Sequence, residues 1–264
     1  MIKLSSEYWK ERQAKAQTKL TNKSIWQTEK QMKKYYNDAM KRVSGSFLST
    51  YNKVMKAKEE GREPTPADLY KLDTYWELQG QLQRELTKLG DKQAELYRKN
   101  FAKHYIDIYN SFALKGGATY STMTTENALQ MIQQIWCADG KSWSERIWVN
   151  TSKLQEALND ELIHCVLTGA DDKYLRQMLM SEFNVSYARA DSIVRTEMAH
   201  IQTQAAGQRY KEAGIKQFEV WADEDERRCD ACGKLHKKRF YVGEQSKMPP
   251  FHPRCRCCIL PVIK

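Results

Sequence analysis

Proline and glycine are scarce in this chain, with 6 and 12 among 264 residues. So little turn chemistry excludes a turn-rich β sandwich and predicts long helices. No apolar run approaches the ~20 residues that a membrane-spanning helix needs. The N-terminal sequence MIKLSSEYWKERQAK lacks an apolar h-region, so a secretory signal is not expected and a reducing cytosol is the expected compartment. There is no HExxH motif and no glycine-rich phosphate loop, and no Ser/His/Asp set has local support. Internal repeats and low-complexity tracts are also missing. Acidic residues are thin in one place: residues 1–58 hold 4 Asp/Glu against 14 Lys/Arg.

What is present is a mainly α chain. Its hydrophobic fraction of 41% and its 14 Tyr and 7 Trp supply enough core material for one large domain or two smaller ones. Residues 1–23 are basic and weakly periodic, and either a helix or a flexible arm fits them. Ser24-Ile25-Trp26-Gln27 fits a capping box at a helix start. From Met32 to Met55 apolar residues recur at three- and four-residue steps, and Lys33, Lys34, Lys41, Arg42, Lys53 and Lys56 form the polar face. EEGREPTP (59–66) breaks this helix. Thr65 caps the next, with Pro66 at its first position and Asp68 in its first turn. Apolar residues from Leu69 to Phe112 then mark a second long helix, with Gly90 as a candidate break and Gly116-Gly117 as its end. The pair reads as a long helical hairpin.

A helical body follows. Helices are expected at 123–137, at Ser144–Leu167 with Thr168-Gly169 as the stop, at about 171–183, and at 186–213 with Gly214 as a left-handed cap. After Gly214 the period changes from 3.6 to 2, and short strands are expected around Phe218–Ala222, Arg239–Val242 and Cys258–Ile263. The organisation expected is a basic arm and hairpin at 1–118, a helical body at 119–213, and a small α+β zinc-binding module at 214–264.

Five of the seven cysteines crowd into residues 229–258. In a reducing compartment that crowding reads as metal binding before disulfides. Cys229-Asp230-Ala231-Cys232 places two thiolates in a tight turn, where they can grip one tetrahedral Zn²⁺. The 19 residues after Cys232 are the right length for a hairpin that returns His252-Pro253-Arg254-Cys255 to the same ion. The preferred ligand set is Cys229, Cys232, His252 and Cys255. Cys257 can replace either His252 or Cys255, while Cys258 and His236 are less favoured. Four protein ligands leave no open position for a catalytic water, so a structural ion is expected.

Other candidates are weaker. Asp223, Glu224, Asp225 and Glu226 could hold Mg²⁺ in a nuclease, but a solvated acidic turn is the plainer reading. Arg195-Thr196-Glu197 lies on a predicted helix, and its residues do not share a face. Pairing with other elements is favoured over catalysis there. His104, His164 and His200 are isolated and read as structural or surface groups. Charge is basic at 1–58, acidic over 59–226 and basic at 227–264, where 10 Lys/Arg face 2 Asp/Glu. Clustered cations attract nucleic-acid phosphates, and equally an acidic protein surface.

These parts occur in a specific order. An RTE helix (RTEMAHIQTQAAGQRYKEAG) leads to a Trp strand, then D-x-R-x-C-x-x-C, then HPRCRC and a short apolar end. In that order residues 142–262, with SWSERIWVN at their start, resemble the phage Mu F-like minor head proteins, which are head-morphogenesis proteins of tailed bacteriophages. The family motif falls on Arg195, Thr196, Glu197, Cys229, Cys232, His252, Cys255 and Cys257. A departure lies at Leu235-His236-Lys237-Lys238, where many members have a Leu-Asp-Gly-type turn. The resemblance implies a few-copy, non-enzymatic protein made in the host cytoplasm and then enclosed in the virion. Its implied partners are the portal, other capsid or scaffold proteins and packaged double-stranded DNA, with no membrane and no small-molecule substrate. The alternatives are a metal-dependent DNA-processing nuclease and a free zinc-binding regulator of nucleic acid.

Overall fold

The computed structural model describes residues 6–112, 122–223 and 225–263. Among them are seven α-helices: α1 (Ser6–Glu59), α2 (Pro66–Tyr70), α3 (Asp73–Ser111), α4 (Thr125–Met131), α5 (Trp143–Thr168), α6 (Asp172–Glu212) and α7 (Asp230–Leu235). Three short strands complete the fold: β1 (Gln217–Trp221), β2 (Arg239–Tyr241) and β3 (Cys258–Pro261). The chain is mainly α with a small C-terminal α+β part, as the periodicities predict. No described helix is long and apolar enough to cross a membrane.

Helix α1 begins far upstream of the predicted Ser24 cap. Its buried stripe runs through Ala14, Gln17, Thr21, Ile25, Thr28 and Met32 at helical spacing. Three of those residues are polar, so a search for apolar periodicity does not find the stripe. Thr28 lies mid-helix, donating to the Ser24 carbonyl (2.8 Å) and accepting from Asn100 (2.8 Å). Residues 6–59 are therefore a core helix and not a loose basic arm.

Three other boundaries differ from expectation. The stretch after Thr65 makes two helices, because Leu72 N–H turns back to the Leu69 carbonyl and Thr50 takes the Thr74 carbonyl (3.1 Å). Helix α4 ends at Met131, since Trp136 is committed elsewhere (below). The helices expected at 171–183 and 186–213 are one, α6. Its small buried residues Ser186 and Ala190 dilute the apolar pattern without stopping the helix. The Gly116-Gly117 stop lies outside the described residues. Gly169 (φ 62°) and Gly214 (φ 70°) do end their helices in the left-handed region, and Ile215 N–H reaches the Tyr210 carbonyl (2.9 Å) as a Schellman cap requires.

The division at 1–118, 119–213 and 214–264 follows chain order. Spatial packing gathers residues into two compact units that interleave along the chain. One takes Lys30–Glu95 and Trp143–Asp191. Its core includes Met32, Val43, Phe47, Leu82, Leu158 and Leu175. Inside it Asn150 donates to the Tyr36 hydroxyl (3.0 Å) and to the Ser186 carbonyl (2.9 Å). Burial pushes the Tyr36 hydroxyl up to about 12, so it stays a neutral member of this network.

The other unit takes Met1–Glu29, Leu96–Ser142 and Ser192–Lys264, and it contains the sheet. The strand order is β2-β1-β3, with both pairings antiparallel. Phe218 faces Phe240 on one side and Pro261 on the other. The β3 edge is tied down by α1 and α6, because the Ile259 carbonyl accepts from both Gln17 (3.2 Å) and Tyr210 (3.0 Å). Glu219, buried in β1, is neutralised by Lys10 (2.8 Å) and Arg239 (3.3 Å).

Gly90 explains why α3 runs on where a break was a candidate. A Cβ there would lie 2.4 Å from the Trp148 ring, so the missing side chain is a packing requirement. At Gly45 a Cβ would meet nothing within 4 Å. Gly90→Ala is expected to destabilise the protein by about 1–3 kcal/mol through overpacking, whereas Gly45→Ala should stabilise it by up to ~1 kcal/mol. Urea denaturation of the two variants checks the opposite signs.

Candidate metal centre

The site is built from two turns. In the first, Cys229 precedes α7, and its Sγ accepts from the Cys232 N–H (3.4 Å). That bond leads in holding the Cys229 thiol below its ordinary value. In the second, Cys255 N–H closes onto the His252 carbonyl (3.2 Å), with Arg254 between them at φ 61°. The His252 Nδ1 lies 2.8 Å from the Pro253 carbonyl and must donate to it. Its Nε2 is thereby the lone-pair nitrogen, and it points at the thiols, 3.4 Å from Cys229 Sγ and 3.2 Å from Cys232 Sγ.

Two groupings among the described residues are close enough to hold a metal ion. They are Cys229 with Cys232 and His252, and Cys232 with Cys255 and Cys257. Cys232 belongs to both, with its Sγ 3.7 Å from that of Cys255. These separations suit a small tetrahedral ion. Bond lengths of roughly 2.3 Å to sulfur and 2.0 Å to nitrogen give edges of about 3.8 Å for S···S and about 3.5 Å for S···N. Each grouping thus has the donor chemistry and the spacing to hold a metal ion of that size. Cys257 stands beside Cys255 and hydrogen-bonds to it, which pulls the Cys255 thiol down to about 5 and raises that of Cys257. Cys258 turns away into strand β3, packs with Ala14, Trp221 and Leu260, and is raised by burial. His236 also stays apart, with Nδ1 accepting from Ala222 N–H (3.1 Å).

The RTE residues turn out to be a three-way joint. Successive residues on a helix point about 100° apart, so each reaches a different element. Arg195 pairs with Glu29 of α1 (2.5 Å). Glu197 accepts from the Trp136 indole (2.9 Å). Thr196 accepts from the Arg254 N–H (3.0 Å) and so fixes the second turn of the metal site. This last link was not legible in the sequence, where 58 positions separate the partners.

The acidic run has a partner too. Arg256 grips Asp225 with both terminal nitrogens (2.6 and 2.5 Å) and approaches Asp223 (3.4 Å). Its guanidinium is the leading cause that holds the Asp225 carboxyl far below its ordinary range. These carboxylates converge on an arginine, and neither metal-sized grouping includes them. Glu224 lies outside the described residues, and Glu226 is exposed. The isolated histidines behave as structural or surface groups. Burial holds His104 down to about 4 beside Thr21, His200 is held near 4 while stacked on Trp136, and His164 is exposed.

On α1 the residues Lys33, Lys34, Lys41, Arg42, Lys53 and Lys56 are all exposed, over roughly 35 Å of helix. Arg42 is pinned to Glu85 (2.5 Å). The others present their charge to solvent.

A mainly α chain with a small sheet closed by a Cys/His knuckle is the class that fold and site define. Residues 156–260 match the family model described as Phage Mu protein F like protein, and this part of the chain is similar to that family in the order of its motifs. The matched segment holds the RTE joint and every candidate ligand, while SWSERIWVN lies ahead of it. No curated protein and no solved structure matches the chain.

Thr196→Val removes the acceptor for the Arg254 N–H while keeping shape. It is expected to weaken metal affinity about 10- to 100-fold, the usual effect of losing an outer support. Competition with a chromophoric zinc chelator measures this, and unchanged affinity would show that the joint does not position the site.

Proposed function

We propose that this protein is a minor head-morphogenesis protein of a tailed bacteriophage. It acts by binding, not by catalysis, and is enclosed in the virion after assembly in the host cytoplasm. The observation that carries the reading is the family match over residues 156–260, which spans the whole knuckle and the helix that positions it. In this reading Cys229, Cys232, His252 and Cys255 hold one structural Zn²⁺, with Cys257 as the alternate ligand. The ion supplies a cross-link between two turns that a sheet this small does not hold together with its own core. The chain's part is to aim the donors. Cys232 N–H sets Cys229, the Pro253 carbonyl sets the His252 tautomer, and Thr196 sets the turn between His252 and Cys255.

The exposed cations of α1 suit an acidic face of the portal or another capsid protein. Packaged double-stranded DNA offers the same chemistry. The nuclease alternative loses ground because Arg256 neutralises Asp223 and Asp225, the carboxylates it needs. A free zinc-binding regulator would use the same knuckle, but it predicts sequence-selective binding.

Mass spectrometry of purified virions and procapsids is expected to find this protein at a few copies per particle. Its restriction to the infected-cell extract would overturn the head reading. Elemental analysis of protein purified under reducing conditions should give about one zinc per chain, the amount a single four-ligand site takes. The Cys229→Ser/Cys232→Ser variant should give none.

A further inference from the structure

A recess of about 670 Å³ lies away from the metal ligands, between α6, the residues that follow α4, and the loop 245–251. That volume is in the range of sites that hold a ligand, roughly 300–1,000 Å³. Gln134, Trp136, His200 and Gln204 line it on the helical side, and Met248 and Phe251 on the loop side. Ile135 lines it too, although 58% of that residue is exposed.

The walls are held in place before any guest arrives. Glu197, the last residue of the RTE joint, fixes the Trp136 indole (2.9 Å). The Trp136 ring is stacked on His200, with centroids 4.2 Å apart and planes within 8°. Gln204 donates to the Gln134 carbonyl oxygen (2.8 Å). On the loop side the Met248 methyl lies where a Cβ on Gly207 would be 2.7 Å away, so Gly207 makes room for it. A site with fixed walls spends less on ordering when it binds.

The chemistry of the lining selects the guest. Charged residues are 29% of the chain, yet no described residue that lines the recess is Lys, Arg, Asp or Glu. Burial holds His200 down to about 4, so it is neutral as well. A charged group would be desolvated here without a counter-charge. Nucleotides bring a phosphate with every base and are disfavoured for that reason. What the walls offer is carboxamides beside apolar surface. Gln134, Gln204 and Gln245 each carry a donor and an acceptor, which is the pairing that a peptide backbone repeats at every residue. His200 Nε2 and Gln204 Oε1 are buried without a hydrogen-bond partner, so the helical wall keeps bonding capacity that its own fold does not use.

We infer that this recess is a docking site for an uncharged, extended segment of another polypeptide, with backbone amides on the glutamines and an apolar side chain against Ile135, Met248 and Phe251. Glu197 is then a positioning residue for the recess, because it sets Trp136. One helix, α6, thus steadies the metal site through Thr196 and this recess through Glu197.

The test is methyl NMR of the full zinc-loaded chain, labelled at Ile and Met methyls. The probe is N-acetyl-leucine N-methylamide, an uncharged leucine with an amide on each side. It should shift the Ile135 and Met248 methyl signals saturably, with a dissociation constant in the millimolar range that so few atoms allow. N-acetyl-leucine, which carries a carboxylate, should bind about ten-fold more weakly or worse. Gln134→Leu/Gln204→Leu should lose about ten-fold in affinity for the uncharged probe. Ser246→Trp, on the exposed turn that lines the recess, should abolish the shifts while the protein keeps its melting temperature. Three outcomes overturn the proposal: no shift of those two methyls at the solubility limit of the probe, equal binding of N-acetyl-leucine, or unchanged shifts in Ser246→Trp. A fourth is deoxyadenosine bound as tightly at the same methyls, which would make the recess a nucleobase site.

Discussion

A three-stranded sheet with strands this short cannot bury both of its faces or satisfy its own edges, and the C-terminal part of the chain is organised around that limit. The remedies come from distant parts of the sequence. Gln17 and Tyr210 share the Ile259 carbonyl at the β3 edge, and Lys10 comes to Glu219 in the central strand. The long excursion between Trp221 and Cys258, which carries α7 and β2, meets α6 at Thr196, through the Arg254 N–H, and α1 at Glu7, through Lys237. Within the segment the ties are Arg256 on the acidic turn and two groupings that share Cys232, one with Cys229 and His252 and one with Cys255 and Cys257. The RTE joint connects this knuckle to α6, so that one helix supports both the sheet and the metal site.

What was legible in the sequence was local. Cys-x-x-Cys and His-x-x-Cys carry their geometry in their spacing, and Gly169 and Gly214 carry theirs in the freedom to take positive φ. The long helices were visible wherever their buried faces are apolar. Where those faces are polar, at Gln17, Thr21 and Thr28, the pattern vanished and the helix start was misplaced at Ser24. The uninterrupted course of α6 was hidden in the same way by Ser186 and Ala190. Gly90 looked like a weak point because its reason, Trp148, sits 58 positions away.

The joints between elements were illegible for the same physical reason. Asp223 and Asp225 read as a solvated acidic turn, with Mg²⁺ binding as the alternative, and neither reading includes Arg256, which the return of the hairpin brings beside them. Arg195, Thr196 and Glu197 look like one motif, yet each answers to a different element. The departure at Leu235-His236-Lys237-Lys238 has a clear meaning once φ is known. Lys237 stands in a left-handed position that a glycine of the family's turn would fill without strain, and here its charge offsets that strain against Trp221 and Glu7. The charge pattern also gains precision, because in the basic tail Arg256 and Lys237 serve the fold.

The account depends on Cys229, Cys232, His252 and Cys255 acting as one ligand set, with Cys257 supporting Cys255 from outside. X-ray absorption at the zinc edge of the purified full-length chain tests that directly. It should show three sulfurs at about 2.3 Å and one nitrogen at about 2.0 Å. Four sulfurs would move Cys257 into the site and His252 out of it, and a shell of oxygen ligands alone would mean that the knuckle is not a metal centre.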